Sequence, residues 1–150
     1  MDDGDFMNAA LALAREAYAA GEVPVGAVIV RDGAIIASAR NETRAARNPL
    51  LHAEAIAIAR ACESVGNERL TDCDLFVTKE PCAMCAGAIV NARVRRVVIA
   101  ARDVRYGACG TVLCVCGNRS LNHVPVIEFG LAEEEAAALL KDFFKERREG

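Results

Sequence analysis

The sequence lacks any apolar segment long enough to cross a bilayer, since its longest apolar runs, such as Val23–Val30, fall far short of roughly 20 residues. It also lacks the basic and then apolar N-terminal stretch that directs secretion. No internal repeat and no Pro-, Gly- or Ser-rich linker divides its 150 residues, a length typical of one domain. These absences predict a single soluble domain over residues 1–150, located in the cytoplasm and without a membrane partner.

An excess of positive charge is missing too, because 18 basic and 21 acidic residues give a net charge of −3. This balance argues against a strongly basic nucleic-acid binder but is compatible with a local basic patch. Hydrophobic residues (53%) and charged residues (26%) exclude a disordered chain. Cysteine, in contrast, is abundant, and the seven cysteines cannot all pair within one chain. In a reducing compartment, clustered cysteines more often bind metal or do chemistry than form disulfides.

Hydrophobic periodicity predicts strands that alternate with helices, the pattern of an α/β domain. Helices are predicted over Phe6–Ala20, His52–Val65, Pro81–Ala92 and Leu131–Arg148. Strands are predicted over Val25–Val30, Ala34–Ala39, Asp74–Thr78, Val94–Ala101 and Val124–Phe129. Asp32-Gly33 between the first two strands predicts a hairpin. The segment Gly107–Asn122 is predicted to be irregular.

Two short motifs carry the strongest chemical indication, His52-Ala53-Glu54 and Pro81-Cys82-Ala83-Met84-Cys85. Because Cys82 and Cys85 are three residues apart at the start of a predicted helix, their sulfurs share one face. His52 would supply a third ligand from the start of another helix. Three protein ligands leave one tetrahedral position open, which is typical of catalytic rather than structural zinc. Glu54 is not needed as a ligand and is available to transfer protons.

A structural zinc site is the alternative that these motifs leave open, and it requires a fourth protein ligand. The candidates for that ligand are His123, Cys109, Cys114 and Cys116. A redox-active Cys-x-x-Cys pair is a further alternative. For the cysteines outside the motif we expect core packing or loop filling, because free cysteine behaves as a small hydrophobe.

The two motifs together resemble the His-x-Glu…Pro-Cys-x-x-Cys signature of the zinc-dependent cytidine/deoxycytidylate deaminase superfamily. Within that superfamily, segments along nearly the whole chain are similar to the bacterial tRNA-specific adenosine deaminases. These segments are Glu22–Val28, Asn41, Pro49, Glu80–Ala88, Ala101–Asp103, Gly107, Gly110, Leu121–His123 and Leu139–Phe144. One departure is Leu50-Leu51, which stands where the family usually has Thr-Ala and is expected to alter the pocket wall.

This resemblance implies a three-layer α/β/α, cytidine-deaminase-like fold with a five-stranded mixed sheet. It also implies hydrolysis of adenosine to inosine at the wobble position of the tRNA anticodon, with release of ammonia. The enzyme would be a homodimer holding one Zn²⁺ per subunit through His52, Cys82 and Cys85, with Glu54 as the catalytic proton carrier. DNA is not an expected partner. The residues expected to contact the anticodon loop are Asn41, Ala53, Asp103, Asn122 and Phe143.

Two other functions stay open at this stage. The breadth of the superfamily and the acidic net charge allow a deaminase of a free base or nucleoside such as guanine or cytosine. A non-catalytic, zinc-stabilised RNA-binding or scaffold subunit is the other function, although the presence of Glu54 argues against it.

Local charge supports an RNA partner. Six arginines lie between Asn91 and Arg119, and the only acidic residue there is Asp103. With the basic residues of the last predicted helix, they predict a phosphate-binding surface at the mouth of the active site, assembled across a dimer.

Overall fold

The computed structural model describes residues 1–149. In that part of the chain the helices and strands are α1 (Asp3–Ala19), β1 (Gly26–Arg31), β2 (Ala34–Arg40), α2 (Ala53–Val65), β3 (Cys73–Lys79), α3 (Ala83–Ala92), β4 (Arg96–Ala101), β5 (Val126–Phe129) and α4 (Glu133–Glu149). Each predicted element is present, with its ends shifted by up to three residues. Helix α1, for example, begins before its predicted start at Phe6, because Asp2 and Asp5 form a reciprocal capping box.

The strands form one mixed sheet in the order β2-β1-β3-β4-β5. Strands β1 and β2 are an antiparallel hairpin, closed by Asp32 and Gly33 with φ values of 52° and 76°. These left-handed values are the ones that a two-residue hairpin turn requires, so the predicted hairpin is confirmed. Strand β1 is also antiparallel to β3, whereas β3, β4 and β5 are parallel.

Helices cover both faces of this sheet. Alternate residues of a strand face opposite sides, so Leu75 and Val97 pack beneath α2 and α3, while Phe76 and Val98 pack against α1 and α4. The three-layer α/β/α fold implied by the resemblance is therefore confirmed. None of the helices in the described part of the chain has the length and apolar character needed to span a bilayer.

The carboxyl ends of the parallel strands β3 and β4 lie side by side. The chain leaves β3 through Glu80-Pro81-Cys82 and leaves β4 through Arg102-Asp103, so the Cys-x-x-Cys motif and the segment that contains Asp103 emerge at the same end of the sheet. In open α/β sheets, ligands bind beyond the carboxyl ends of the strands, so a binding site is expected at this end of the sheet.

Candidate active site

His52, Cys82 and Cys85 come together where β3 ends. The sulfur atoms of Cys82 and Cys85 lie 3.6 and 3.5 Å from Nδ1 of His52. His52 is the N-cap residue of α2, and Cys82 is the N-cap residue of α3. Helix α3 therefore begins two residues later than predicted, and Cys82 contributes its sulfur from extended backbone rather than from inside the helix. The three residues are nonetheless neighbours, as the spacing predicted.

The donor set and its spacing fit a zinc ion. Zinc lies about 2.3 Å from Cys sulfur and about 2.0 Å from His nitrogen, so tetrahedral angles separate the two donors by about 3.5 Å. Hydrogen bonds from Cys85 and His52 lower the pKa of the Cys82 thiol to about 3, against the opposing effect of burial. The contact with Cys82 and burial raise the pKa of Cys85. The lowered pKa of Cys82 favours its thiolate, the form of cysteine that binds metals.

The described residues do not supply the fourth protein ligand that a structural site would require. Within residues 1–149, only the donor atoms of the three motif residues form a group, all within 4.8 Å of one another. His123 instead contacts the backbone carbonyl of Val94 at 2.6 Å through Nε2. Cys109 and Cys116 contact each other, with their sulfurs 2.9 Å apart, and Cys114 is exposed. Three donors beside a cavity are the arrangement of a catalytic site.

Glu54 lines the same cavity, which has a volume of about 530 Å³ and contains His52 and Cys82 in its wall. It lies in the first turn of α2, two residues beyond His52, and is 4% exposed. Burial raises the pKa of its carboxyl group above the ordinary value. Glu54 is buried, faces the cavity and is not a member of the ligand group, so its place suits proton transfer to and from a base held there.

Asn41 forms another part of the cavity wall and is 7% exposed. Its side-chain oxygen accepts a hydrogen bond of 2.8 Å from the backbone N–H of Ala53. The side-chain nitrogen of Asn41 is therefore the atom left to meet a substrate, whereas the N–H of Ala53 is already engaged. The buried carboxylate of Glu22 holds the loop after Asn41, because it accepts the N–H groups of Arg44 and Ala45 at 3.0 and 2.8 Å.

A buried carboxylate, Glu80, organises the opposite wall of the cavity. It accepts hydrogen bonds from the side chain of Thr111 and from the backbone N–H groups of Asp103 (3.1 Å), Cys109 (3.0 Å) and Thr111 (3.2 Å). Gly107 is required beside it, because a Cβ there would lie 2.5 Å from this carboxylate. The irregular segment after β4 is thus ordered around one side chain, and it presents Val112 and Leu113 to the cavity.

Asp103 reaches the cavity beside Lys79, the last residue of β3. Its Oδ2 lies 3.1 Å from the ammonium nitrogen of Lys79, and its Oδ1 accepts the N–H groups of Arg105 (2.9 Å) and Tyr106 (3.1 Å). Burial acts to raise the pKa of Asp103, but these contacts outweigh it and hold that pKa below its usual value. Asp103 was predicted from the sequence as a site residue and Lys79 was not, although Lys79 lies at the carboxyl end of a predicted strand, where site residues are expected.

Three of the residues predicted to contact RNA, Ala53, Asn122 and Phe143, lie outside the cavity lining. Phe143 is 5% exposed and packs edge-on against Tyr18, while its neighbour Phe144 is 40% exposed and lines the cavity. Asn122 is exposed, and its backbone carbonyl accepts a hydrogen bond of 3.0 Å from the side chain of Arg93. Contacts of Phe143 and Asn122 with RNA stay predictions.

Leu50 and Leu51, which precede His52, also lie outside the cavity lining. Leu50 is exposed, and Leu51 packs against the core beneath α2 and α3. The structure therefore places neither bulky side chain in the pocket wall that they were expected to alter.

A second cavity, of about 960 Å³, adjoins the first and is called the basic groove below. The basic residues that line it are Lys79, Arg102, Arg105, Lys141, Arg147 and Arg148. Arg95 and Arg96, in contrast, form ion pairs with Asp74 at the other end of β3 and β4. The arginines predicted to form one surface are thus divided between the groove and the opposite end of the sheet.

Comparisons with known proteins agree with this site. The chain matches the MafB19-like deaminase family over residues 1–148. The tRNA-specific adenosine deaminase of Agrobacterium fabrum (strain C58) is 46% identical over 143 residues, which are 95% of this chain and 94% of that protein. The tRNA-specific adenosine deaminase of Bacillus subtilis (strain 168) is 41% identical, over 95% of this chain and 89% of that protein.

Solved structures of deaminases are also similar to this chain. A structure from a study of A-to-I editing by tRNA A34 deaminases at the wobble position has a TM-score of 0.88 and 45% identity, covering 91% of this chain and 99% of that one. A guanine deaminase from Nitrosomonas europaea has a TM-score of 0.83 and 26% identity, covering 95% of this chain and 84% of that one. By sequence and by structure, the chain belongs to the family of the tRNA-specific adenosine deaminases.

Proposed function

We propose that this protein hydrolyses adenosine to inosine at the wobble position of a tRNA anticodon and releases ammonia. The observation that carries the proposal is that His52, Cys82 and Cys85 form one donor group, and that His52, Cys82 and buried Glu54 line one cavity, in a chain 46% identical to a tRNA-specific adenosine deaminase. The adjoining basic groove supports a polyanionic substrate, because an RNA strand brings one negative charge with each nucleotide.

Each side chain has a role that follows from its place. His52, Cys82 and Cys85 would hold one zinc ion, which when bound makes water a nucleophile at neutral pH. Glu54 takes a proton from the water that adds at C6 and passes it to N1 of the adenine ring. It then takes the remaining proton of the new C6 hydroxyl group and gives it to the amino group, which leaves as ammonia while the C6 carbonyl forms. Asn41 holds the base in register with Glu54 through its side-chain nitrogen.

The proposal extends to the assembly and location that the sequence resemblance implied. The enzyme is a homodimer with one zinc ion per subunit, acting in the cytoplasm. A tRNA substrate supports this location.

Deamination of a free base such as guanine is the second candidate, favoured by the similarity to the Nitrosomonas guanine deaminase. The basic groove argues against it, since a neutral base needs no such surface.

The test compares ammonia release from tRNA, an anticodon stem-loop, adenosine, guanine and cytosine, using protein whose zinc content has been measured. We expect turnover of the tRNA and the stem-loop by the purified chain without any added protein. Faster turnover of guanine or cytosine would replace the proposal with the second candidate. Turnover of RNA only after addition of another subunit would indicate a non-catalytic role for this chain.

A further inference from the structure

The active-site cavity and the basic groove share one part of their walls. The residues that line both are Lys79, Asp103, Arg105, Tyr106 and Phe144. We call this shared part the junction. If a base lies beside Glu54 and its neighbour in the strand lies in the groove, the phosphodiester group between them passes through the junction.

Lys79 places an ammonium group at this junction. An ammonium group has three N–H donors, and Asp103 accepts one of them, with a nitrogen–oxygen distance of 3.1 Å. Among residues 1–149 the structure gives Lys79 no second hydrogen-bond or ion-pair partner, and its side chain is 25% exposed. Two donors are therefore available to an anion that enters either cavity.

Asp103 does not depend on Lys79 for its position. Its other carboxylate oxygen accepts two backbone N–H groups, from Arg105 and Tyr106, and its own N–H is bound to Glu80. The carboxylate is thus fixed by the loop, and it fixes the flexible side chain of Lys79 in turn. A lysine held in this way costs less conformational entropy when it binds a ligand than a freely rotating one.

We propose that Lys79 is a substrate-binding residue that donates hydrogen bonds to the phosphodiester group joining the target nucleotide to its neighbour in the basic groove. The inference rests on the proposed function, because it requires an RNA substrate. Free bases and nucleosides have no such group, so Lys79 favours a polynucleotide over a nucleoside at the same site.

The test uses Lys79→Met, which removes the charge, and Lys79→Arg, which keeps it. Arg15→Met is the matched control, because it also removes a positive charge, and Arg15 is exposed on α1 and lines neither cavity. Deamination of an anticodon stem-loop is measured at several salt concentrations, with the salt dependence of binding alongside. We expect Lys79→Met to raise KM about tenfold, to change kcat less than about threefold and to reduce the salt slope by about 0.7. We expect Lys79→Arg to recover most of the affinity and Arg15→Met to behave like the wild type.

The same substitution in an Asp103→Asn chain distinguishes direct binding of phosphate by Lys79 from an effect that Lys79 exerts through Asp103. If Lys79 contacts phosphate, Lys79→Met raises KM in an Asp103→Asn chain as well, whereas a lysine that only positions Asp103 has no effect there. An unchanged KM and salt slope for Lys79→Met, or a loss confined to the chain with native Asp103, overturns the inference. Absence of stem-loop turnover by the wild type overturns the proposed function and this inference together, whereas normal turnover with an unaffected Lys79→Met overturns this inference alone.

Discussion

Two pairs of cysteines lie close together in this molecule and differ in their surroundings. Cys82 lines the cavity and Cys85 is buried beside it, with Nδ1 of His52 within 3.6 Å of both sulfurs. Cys109 and Cys116 have their sulfurs 2.9 Å apart, and neither of them lines the cavity. Both pairs are near α3. Cys82 and Cys85 lie at the start of this helix, and the sulfur of Cys116 is 4.0 Å from the backbone carbonyl oxygen of Ala86.

The difference shows that two neighbouring sulfurs do not by themselves make a metal site. Hydrogen bonds from Cys85 and His52 lower the pKa of Cys82 to about 3. In the second pair, contact with Cys116 and burial instead raise the pKa of Cys109. Buried cysteines without a cation beside them pack as small hydrophobes. The expectation of packing is confirmed for the second pair, whose residues lie in the hydrophobic core. The nitrogen donor of His52 and the access of Cys82 to the cavity distinguish the first pair.

The largest expected effect comes from removing a sulfur of the first pair. Cys85→Ala should lose the bound zinc and reduce deamination of the stem-loop by roughly a thousandfold or more, because the metal supplies several kcal/mol of transition-state stabilisation. Zinc per subunit and inosine formation are the measurements, with Cys116→Ala as the matched control. One zinc per subunit in Cys85→Ala, or loss of zinc from Cys116→Ala, would show that the two cysteine pairs do not differ in metal binding as described.

A smaller effect is expected from a substitution that separates proton transfer from metal binding in the active-site cavity. Glu54→Gln should keep the zinc content of the wild type and lower kcat by about 10²–10⁴, the usual contribution of a positioned general acid or base. Glu63→Gln, on an exposed position of the same helix, is the control and should be unchanged. Wild-type kcat in Glu54→Gln would show that another group moves the proton.

Glu80 connects the two regions, because it lies two residues before Cys82 and accepts the N–H of Cys109 at 3.0 Å. Glu80→Ala leaves several buried N–H groups without acceptors and should lower the free energy of unfolding by on the order of 3 kcal/mol. Urea unfolding measures this, with exposed Glu68→Ala as the control. We also expect a lower kcat/KM, since the cavity wall loses its anchor. Equal unfolding free energies for Glu80→Ala and the wild type would contradict the role given to this carboxylate.

The smallest effect is expected for the second pair itself. Cys109→Ala and Cys116→Ala should each lower the free energy of unfolding by about 1 kcal/mol, the typical cost of a point substitution. The double variant should lose less than the sum, by about 0.5 kcal/mol or more, because the two side chains are in contact. Zinc content and kcat should match the wild type in all three variants. Strict additivity would mean that the sulfur–sulfur contact contributes nothing to stability.

Much of the fold and of the candidate site could be predicted from the sequence, because these features depend on local residue spacing. The hairpin follows from Asp32-Gly33, whose turn conformation few other residue pairs adopt. The ligand positions follow from two motifs that each open a helix. The exact start of α3 did not follow, because Cys82 is an N-cap residue and the difference between cap and first turn lies in the backbone angles.

The two sequence motifs alone predict which chemical groups the site contains: one imidazole, two thiols and the carboxyl group of Glu54. Which other side chains meet these groups depends on how distant segments of the chain pack. Parallel pairing of β3 and β4 brings Lys79 beside Asp103, although 23 residues separate them in the chain. Packing of α4 turns Phe143 into the core and leaves Phe144 at the cavity. These contacts join distant segments, and they form only when burial of both sheet faces fixes the elements against one another.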